Sequence, residues 1–292
     1  MQPGPERVPT TPLLTYFRSA LFKGPRGKDW GAHRREAASK WIDDASQLAQ
    51  LFEDSVALVE HEYQNYQPFY PARHTFGVWA DKKIPHGERL RGTVDVAARL
   101  SKREVWPVAT NSQLDFRYLD REIAITRSKP KPLQDPGVTL EVDLFLANAY
   151  DRTPILGEVK VKKDQCPFYA LIQLLTQAAY AVTPSQRARL ALFGSRPDFV
   201  LLEAVPGKPS FLDLYVFLVE PPVEYPYKEL REAAIELSLK LIADTRVASR
   251  IGRIAWIEGA ASGSGLALEA IKVAPSLLRL PNRTPIPPLR TS

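Results

Sequence analysis

The sequence predicts an α/β or α+β fold in which a central mixed β-sheet is flanked by helices. Two observations carry that prediction. Strand-like segments, some alternating and some wholly apolar, recur from about residue 90 to residue 275, and segments of helical period fall between them rather than in one half of the chain. The strand-like segments are also short and bounded by Pro, Gly, Asn and Asp, as sheet strands are. In chain order, the first helix is expected over about 37–65, where Trp41, Leu48, Leu51, Phe52, Val56, Leu58 and Val59 give one apolar face. Residues 90–127 are expected to be strand-rich. GTVDVAARL is one strand, and LDFRYLDREIAITR is a hairpin turning at Leu119-Asp120-Arg121. LEVDLFL and PILGEVKVKKD form a strand pair, and a nearly all-apolar helix follows over about 165–182. DFVLLEAV and FLDLYVFLVE, joined by Pro206-Gly207-Lys208-Pro209, suggest an antiparallel hairpin. YPYKELREAAIELSLKLIAD is an amphipathic helix, and RIGRIAWIEG and LALEAIKVA pair across the Gly259–Gly265 stretch. The expected organisation is a flexible basic arm over 1–36, a single domain over 37–275 and a proline-rich tail over 276–292.

Composition narrows the function classes. With 292 residues and 45% hydrophobic content the chain can bury a sizeable core. Its one cysteine, Cys166, excludes a disulfide scaffold and a cysteine-rich zinc site. The start MQPGPERVPTTP lacks the layout of a signal peptide, and no apolar run reaches the length of a membrane span, so a cytoplasmic protein without membrane association is expected. There is no GxGxxG or GK[ST] loop, and His33, His61, His74 and His86 have no zinc-binding spacing. The net charge of +6 leans towards a polyanionic partner, and basic residues gather in Phe17–Lys40 and at Lys160, Lys162 and Lys163.

The chemistry-bearing stretch runs from Leu140 to Tyr180. Strand alternation puts Glu141, Asp143 and Phe145 on one face, and Glu158, Lys160 and Lys162 on one face of the next strand. Two carboxylates and a lysine on paired strands can surround one hard divalent cation, Mg²⁺ or Mn²⁺, an arrangement suited to phosphodiester chemistry. Asp81-Lys82-Lys83 repeats the spacing without an acidic strand before it or an apolar helix after it. On the helix that follows, Tyr169, Gln173, Gln177 and Tyr180 form one polar stripe against an apolar circumference. A stripe facing Lys160 could hydrogen-bond the lysine, a metal-bound water or a phosphate oxygen.

Asp143, then Glu158-Val159-Lys160 after a short hairpin, then a helix carrying Gln173 and Gln177, resembles the PD-(D/E)xK nuclease superfamily; Val142 precedes Asp143 here in place of proline. The resemblance covers about forty residues. It implies a restriction-endonuclease-like core over about 111–220, with Asp143, Glu158 and the Val159 carbonyl holding Mg²⁺ or Mn²⁺ and Lys160 steadying the attacking water. It also implies a further acidic ligand from a helix before the sheet. Glu60 is the first choice among Glu53, Glu60 and Glu62, and Glu141 is the competitor. The expected partner is nucleic acid, DNA before RNA, and a homodimer is allowed. Two rival readings remain: a nuclease-fold binding or interaction module that never holds a metal, and an unrelated α/β protein in which the motif is accidental.

Overall fold

The computed structural model describes residues 10–17, 36, 39–62, 92–123, 142–162, 166–194, 211–223, 227–262 and 265–278. The fold is mixed α/β, built on a seven-stranded sheet whose strands lie side by side in chain order: β1 (Val105–Trp106), β2 (Phe116–Ile123), β3 (Val142–Asn148), β4 (Pro154–Val161), β5 (Leu212–Val219), β6 (Ile251–Ser262) and β7 (Gly265–Pro275). β1 to β4 pair antiparallel, β4, β5 and β6 run parallel, and β7 returns antiparallel along β6. Each parallel step needs a helical crossover. α4 (Pro167–Ala181) lies between β4 and β5, and α6 (Tyr227–Ala243) with α7 (Thr245–Ala248) between β5 and β6. β5 is buried at every position because sheet neighbours and both faces enclose it, which accounts for the unbroken apolar run LDLYVFLV around Asp213.

Two apolar layers lie on opposite sides of the sheet. On one side α1 (Pro12–Tyr16), α2 (Ala45–Glu62), α4 and α6 bury Phe17, Phe52, Leu174 and Leu237 together with Phe145, Leu156 and Trp256 of the sheet. On the other side the sheet curls. Ala109, just past β1, bridges to Glu269 of β7, and its N–H donates to the Leu268 carbonyl at 2.8 Å. The enclosed side is filled by Leu144, Ile155, Tyr215, Phe217 and Ile257 and covered by Val96, Ala97 and Leu100 of α3 (Thr93–Leu100).

The strand pair over Val142–Val161, the helix after it, the amphipathic helix near 227–243 and the final hairpin form as the sequence predicts. Four segments differ. GTVDVAARL is the helix α3 rather than a strand: Val96, Ala97 and Leu100 share a helical face, while Val94, which supplied the apparent alternation, is 40% exposed. LDFRYLDREI is one strand, β2. Leu119 is an extra residue between the pairs Tyr118↔Leu146 and Asp120↔Phe145, and this bulge turns a run of side chains that looked like a hairpin tip. FLDLYVFLVE forms β5 with parallel neighbours on both edges, so no antiparallel hairpin partner lies beside it; DFVLLEAV falls outside the described residues. Residues 10–17, expected in the basic arm, form α1 and bury Leu13, Leu14 and Phe17 in the core. Thr11 caps α1 by accepting the Leu14 N–H, and Ser55 of α2 accepts the Leu13 N–H at 3.0 Å. A further helix, α5 (Pro184–Gly194), follows α4 with too weak an apolar periodicity to be read from sequence. Among the described residues no helix is long and apolar enough to cross a membrane.

Candidate functional site

β3 and β4 pair through Leu144↔Gly157, and the next step of the same register puts Asp143 opposite Glu158. Gly157 permits the approach here: a Cβ on it would lie 3.0 Å from Leu144 Cβ and 3.2 Å from the Phe217 ring. Beyond this pair the backbone ladder gives way to a side chain. The Val159 N–H, which would otherwise reach for β3, donates to Asp143 Oδ2 at 2.8 Å. The N–H and carbonyl of one strand residue point towards the same neighbour, so the Val159 carbonyl is also directed to the β3 side, next to Asp143. Lys162, three residues on and of opposite phase, donates to Val219 of β5.

Glu158 is 1% exposed and its Oε1 accepts from Lys160 Nζ at 2.6 Å. Its carboxyl lies against that of Asp143, close enough to share a hydrogen bond when one of them is protonated. The other oxygen, Oε2, is buried, and no hydrogen-bond donor among the described residues reaches it. Burial first, and the Asp143 charge second, push the Glu158 carboxyl well above the usual carboxylate range, while Lys160 opposes both. Burial of Glu158 beside a second carboxylate therefore favours its protonated form, or a cation beside it. Mg²⁺ commonly takes one or two carboxylates and completes its shell with water and phosphate oxygens. Asp143, Glu158 and the Val159 carbonyl supply oxygen donors of that kind, and Oε2 of Glu158 has no donor among the described residues.

Lys160 is fixed from a second side. Its ammonium lies 5.3 Å from the centre of the Tyr169 ring, and Tyr169 packs on Phe17 at 4.8 Å. α4 runs back along β4 to reach β5, so the polar stripe begins at Tyr169 over Lys160. A turn of helix advances about 5–6 Å and two strand residues about 6.6 Å, which sets Gln173 level with Glu158 and Gln177 level with Leu156. Gln177 is fully buried, so its amide does not face bulk water, and Gln173 is half-buried.

Glu60 is not brought to this cluster. Its carboxylate pairs with Arg250 at 3.1 Å, at the opening end of the parallel strands. The Arg250 carbonyl accepts the N–H of Leu212, whereas Glu158 is level with Val216, about 13 Å further along β5. The helical face of α2 was read correctly, but its C-terminal turn points to the wrong end of the sheet. Among the described residues no group of three or more His, Cys, Asp or Glu side chains converges on a metal-sized site. Glu141 and the Asp81-Lys82-Lys83 segment fall outside those residues. Tyr169 contributes more than its place in a polar stripe suggested, because its ring holds the lysine; the four-residue spacing to Gln173 was the available signal. No family model matches the chain, and no curated protein or solved structure matches it.

Proposed function

We propose that the chain is a metal-dependent nuclease of PD-(D/E)xK type, acting on DNA, with a restriction-endonuclease-like core over about residues 111–220. The observation that carries the proposal is the buried Glu158 facing the half-buried Asp143, with one Glu158 oxygen that no donor among the described residues reaches and Lys160 beside it. The order of elements supports the same core: helix α2, the antiparallel strands β2 to β4, helix α4, then β5 parallel to β4.

A bound Mg²⁺ or Mn²⁺ would lower the pKa of its water and offset phosphate charge. The residues of the chain supply position and field. Asp143 is oriented by the Val159 N–H, Glu158 by Lys160, and Lys160 by the Tyr169 ring, so the three groups are aimed before substrate arrives. The Lys160 ammonium, with its side chain 14% exposed, places positive charge where charge on a phosphate would grow. The half-buried amide of Gln173 can orient a water or a phosphate oxygen at the level of Glu158.

The test is incubation of purified protein with plasmid, linear duplex, single-stranded DNA and RNA, each with Mg²⁺, Mn²⁺ or EDTA. Cleavage is expected with metal and not with EDTA. It should be abolished in Asp143→Asn and slowed by about two to three orders of magnitude in Lys160→Ala, as for deletion of an electrostatic donor. Undiminished cleavage by Asp143→Asn would refute the assignment. Nucleic-acid binding by wild type with neither cleavage nor a metal response would favour an inactive nuclease-fold binding module.

A further inference from the structure

On the opposite side of the sheet, at the end where the parallel strands finish, a cavity of about 300 Å³ opens between α3, β1 and the β6–β7 hairpin. It is lined by Arg99, Lys102, Arg103, Trp106, Ser262, Gly265 and Leu266, three of which are cationic and none acidic. The framework is built from several elements. The Trp106 indole N–H donates to the Leu100 carbonyl at 2.7 Å, which locks the ring under the end of α3. Arg99 Nη1 donates to the Gly265 carbonyl at 2.8 Å and ties α3 to the start of β7. The Arg103 guanidinium lies 5.8 Å from the Trp106 ring centre. The negative end of a helix attracts basic residues, but that alone does not explain their convergence with a fixed indole on one hollow.

We infer that this cavity is a binding site for a phosphate group of a nucleic-acid strand. The nearest acid in sequence, Glu104, pairs with Arg117 at 2.6 Å. Trp106 is only 4% exposed, so its ring is a floor for the guanidinium and not a platform on which a base can stack. The site therefore recognises phosphate, not base identity. Its place suits a strand that also reaches Glu158. Glu158 is level with Trp256, Ser262 lies six residues beyond, and the path along and across two strands is on the order of 22 Å, several phosphates of one strand, which would round the strand ends from one face of the sheet to the other. The inference rests on the nucleic-acid part of the proposed function and not on a cation at Asp143 and Glu158.

The experiment measures binding of a fluorescein-labelled oligothymidine and an oligodeoxyadenosine by anisotropy, in EDTA, across a salt series. Lys102 and Arg103 are exposed, so Lys102→Ala/Arg103→Ala keeps the core intact. Loss of two phosphate contacts should weaken both oligonucleotides alike, about tenfold near physiological salt, and lower the slope of log K against log salt by about 1.4. Lys102→Arg/Arg103→Lys keeps the charges and should keep the slope. Millimolar inorganic phosphate separates the sources: a thermal shift lost in the double alanine variant names an isolated phosphate as ligand, and a changed slope without it names a strand phosphate. Unchanged affinity and slope in the double alanine variant, or no binding by wild type, overturns the site. Retained cleavage with an unchanged slope would sink this site alone, and a changed slope without cleavage would sink only the nuclease reading.

Discussion

Two groups of charge lie three residues apart along β4 and β5, and among the described residues only the one nearer the start of β5 has its acids matched by arginine. At the opening end of β5 and β6, Asp213 is fully buried and meets Arg253 at 2.9 Å; Arg253 also reaches Asp151 at 3.4 Å. Arg187, buried on α5, lies within the field of Asp213, which partly offsets the burial that lowers its guanidinium to about 10. Two acids thus share Arg253, and the Arg187 charge lies in the field of one of them. Further along β4, the buried Glu158 carboxyl faces Asp143 and pairs with Lys160, and no donor among the described residues reaches its second oxygen. Buried charge on a strand is therefore not by itself a sign of function. Among the described residues the acids of the balanced group are paired with arginine, whereas the Glu158 carboxyl is raised beside Asp143 and would be relieved by a proton or a cation.

The largest expected effect falls on the balanced group. Asp213→Ala would leave buried arginine charge without its carboxylate and should destabilise the protein by about 3–5 kcal/mol, read from the urea midpoint. A loss under 1 kcal/mol would show that the two groups do not differ as described. The opposite sign is expected at Glu158. Glu158→Gln should stabilise the metal-free protein by about 1 kcal/mol at neutral pH, a typical point-mutation size but in the unusual direction. Because the folded carboxyl titrates above its unfolded value, the stability linked to its protonation is complete below the unfolded value and is lost as pH rises through the folded one. Wild type and Glu158→Gln should therefore converge in acid and separate as pH rises; a constant gap from acid to neutral pH would contradict the crowding of the two carboxylates.

The smallest effect belongs to Glu60. Its pair with Arg250 is about one-third exposed on each side, so Glu60→Gln should cost no more than about 1 kcal/mol and leave metal-dependent cleavage unchanged. A loss of cleavage matching that of Asp143→Asn would return Glu60 to the candidate ligands.

The contrast between the two groups was half legible in the sequence. Period-two alternation set Asp143, Glu158 and Lys160 on one face, because a hairpin with a regular register turns spacing directly into neighbourhood. The Asp213 group could not be read that way, since Asp213, Arg253 and Arg187 meet through parallel pairing and a helix across long stretches of chain. The same limit explains Glu60: helical periodicity gives the face of α2 but not the end of the sheet towards which its last turn points. The curl that forms the Trp106 cavity depends on the bulge at Leu119 and the bridge from Ala109 to Glu269, neither of which has a periodic signal. α3 was misread because Val94-Asp95-Val96 alternates like a strand within a helix.

The central claim is that Asp143 and Glu158 together hold a divalent cation. Thermal unfolding of wild type and Asp143→Asn, each with EDTA and with saturating Mg²⁺, tests it most directly, because binding to the folded state alone must raise stability. Mg²⁺ should raise the midpoint of wild type and leave Asp143→Asn where it stands in EDTA. Equal shifts in the two proteins, or none in wild type, would contradict it.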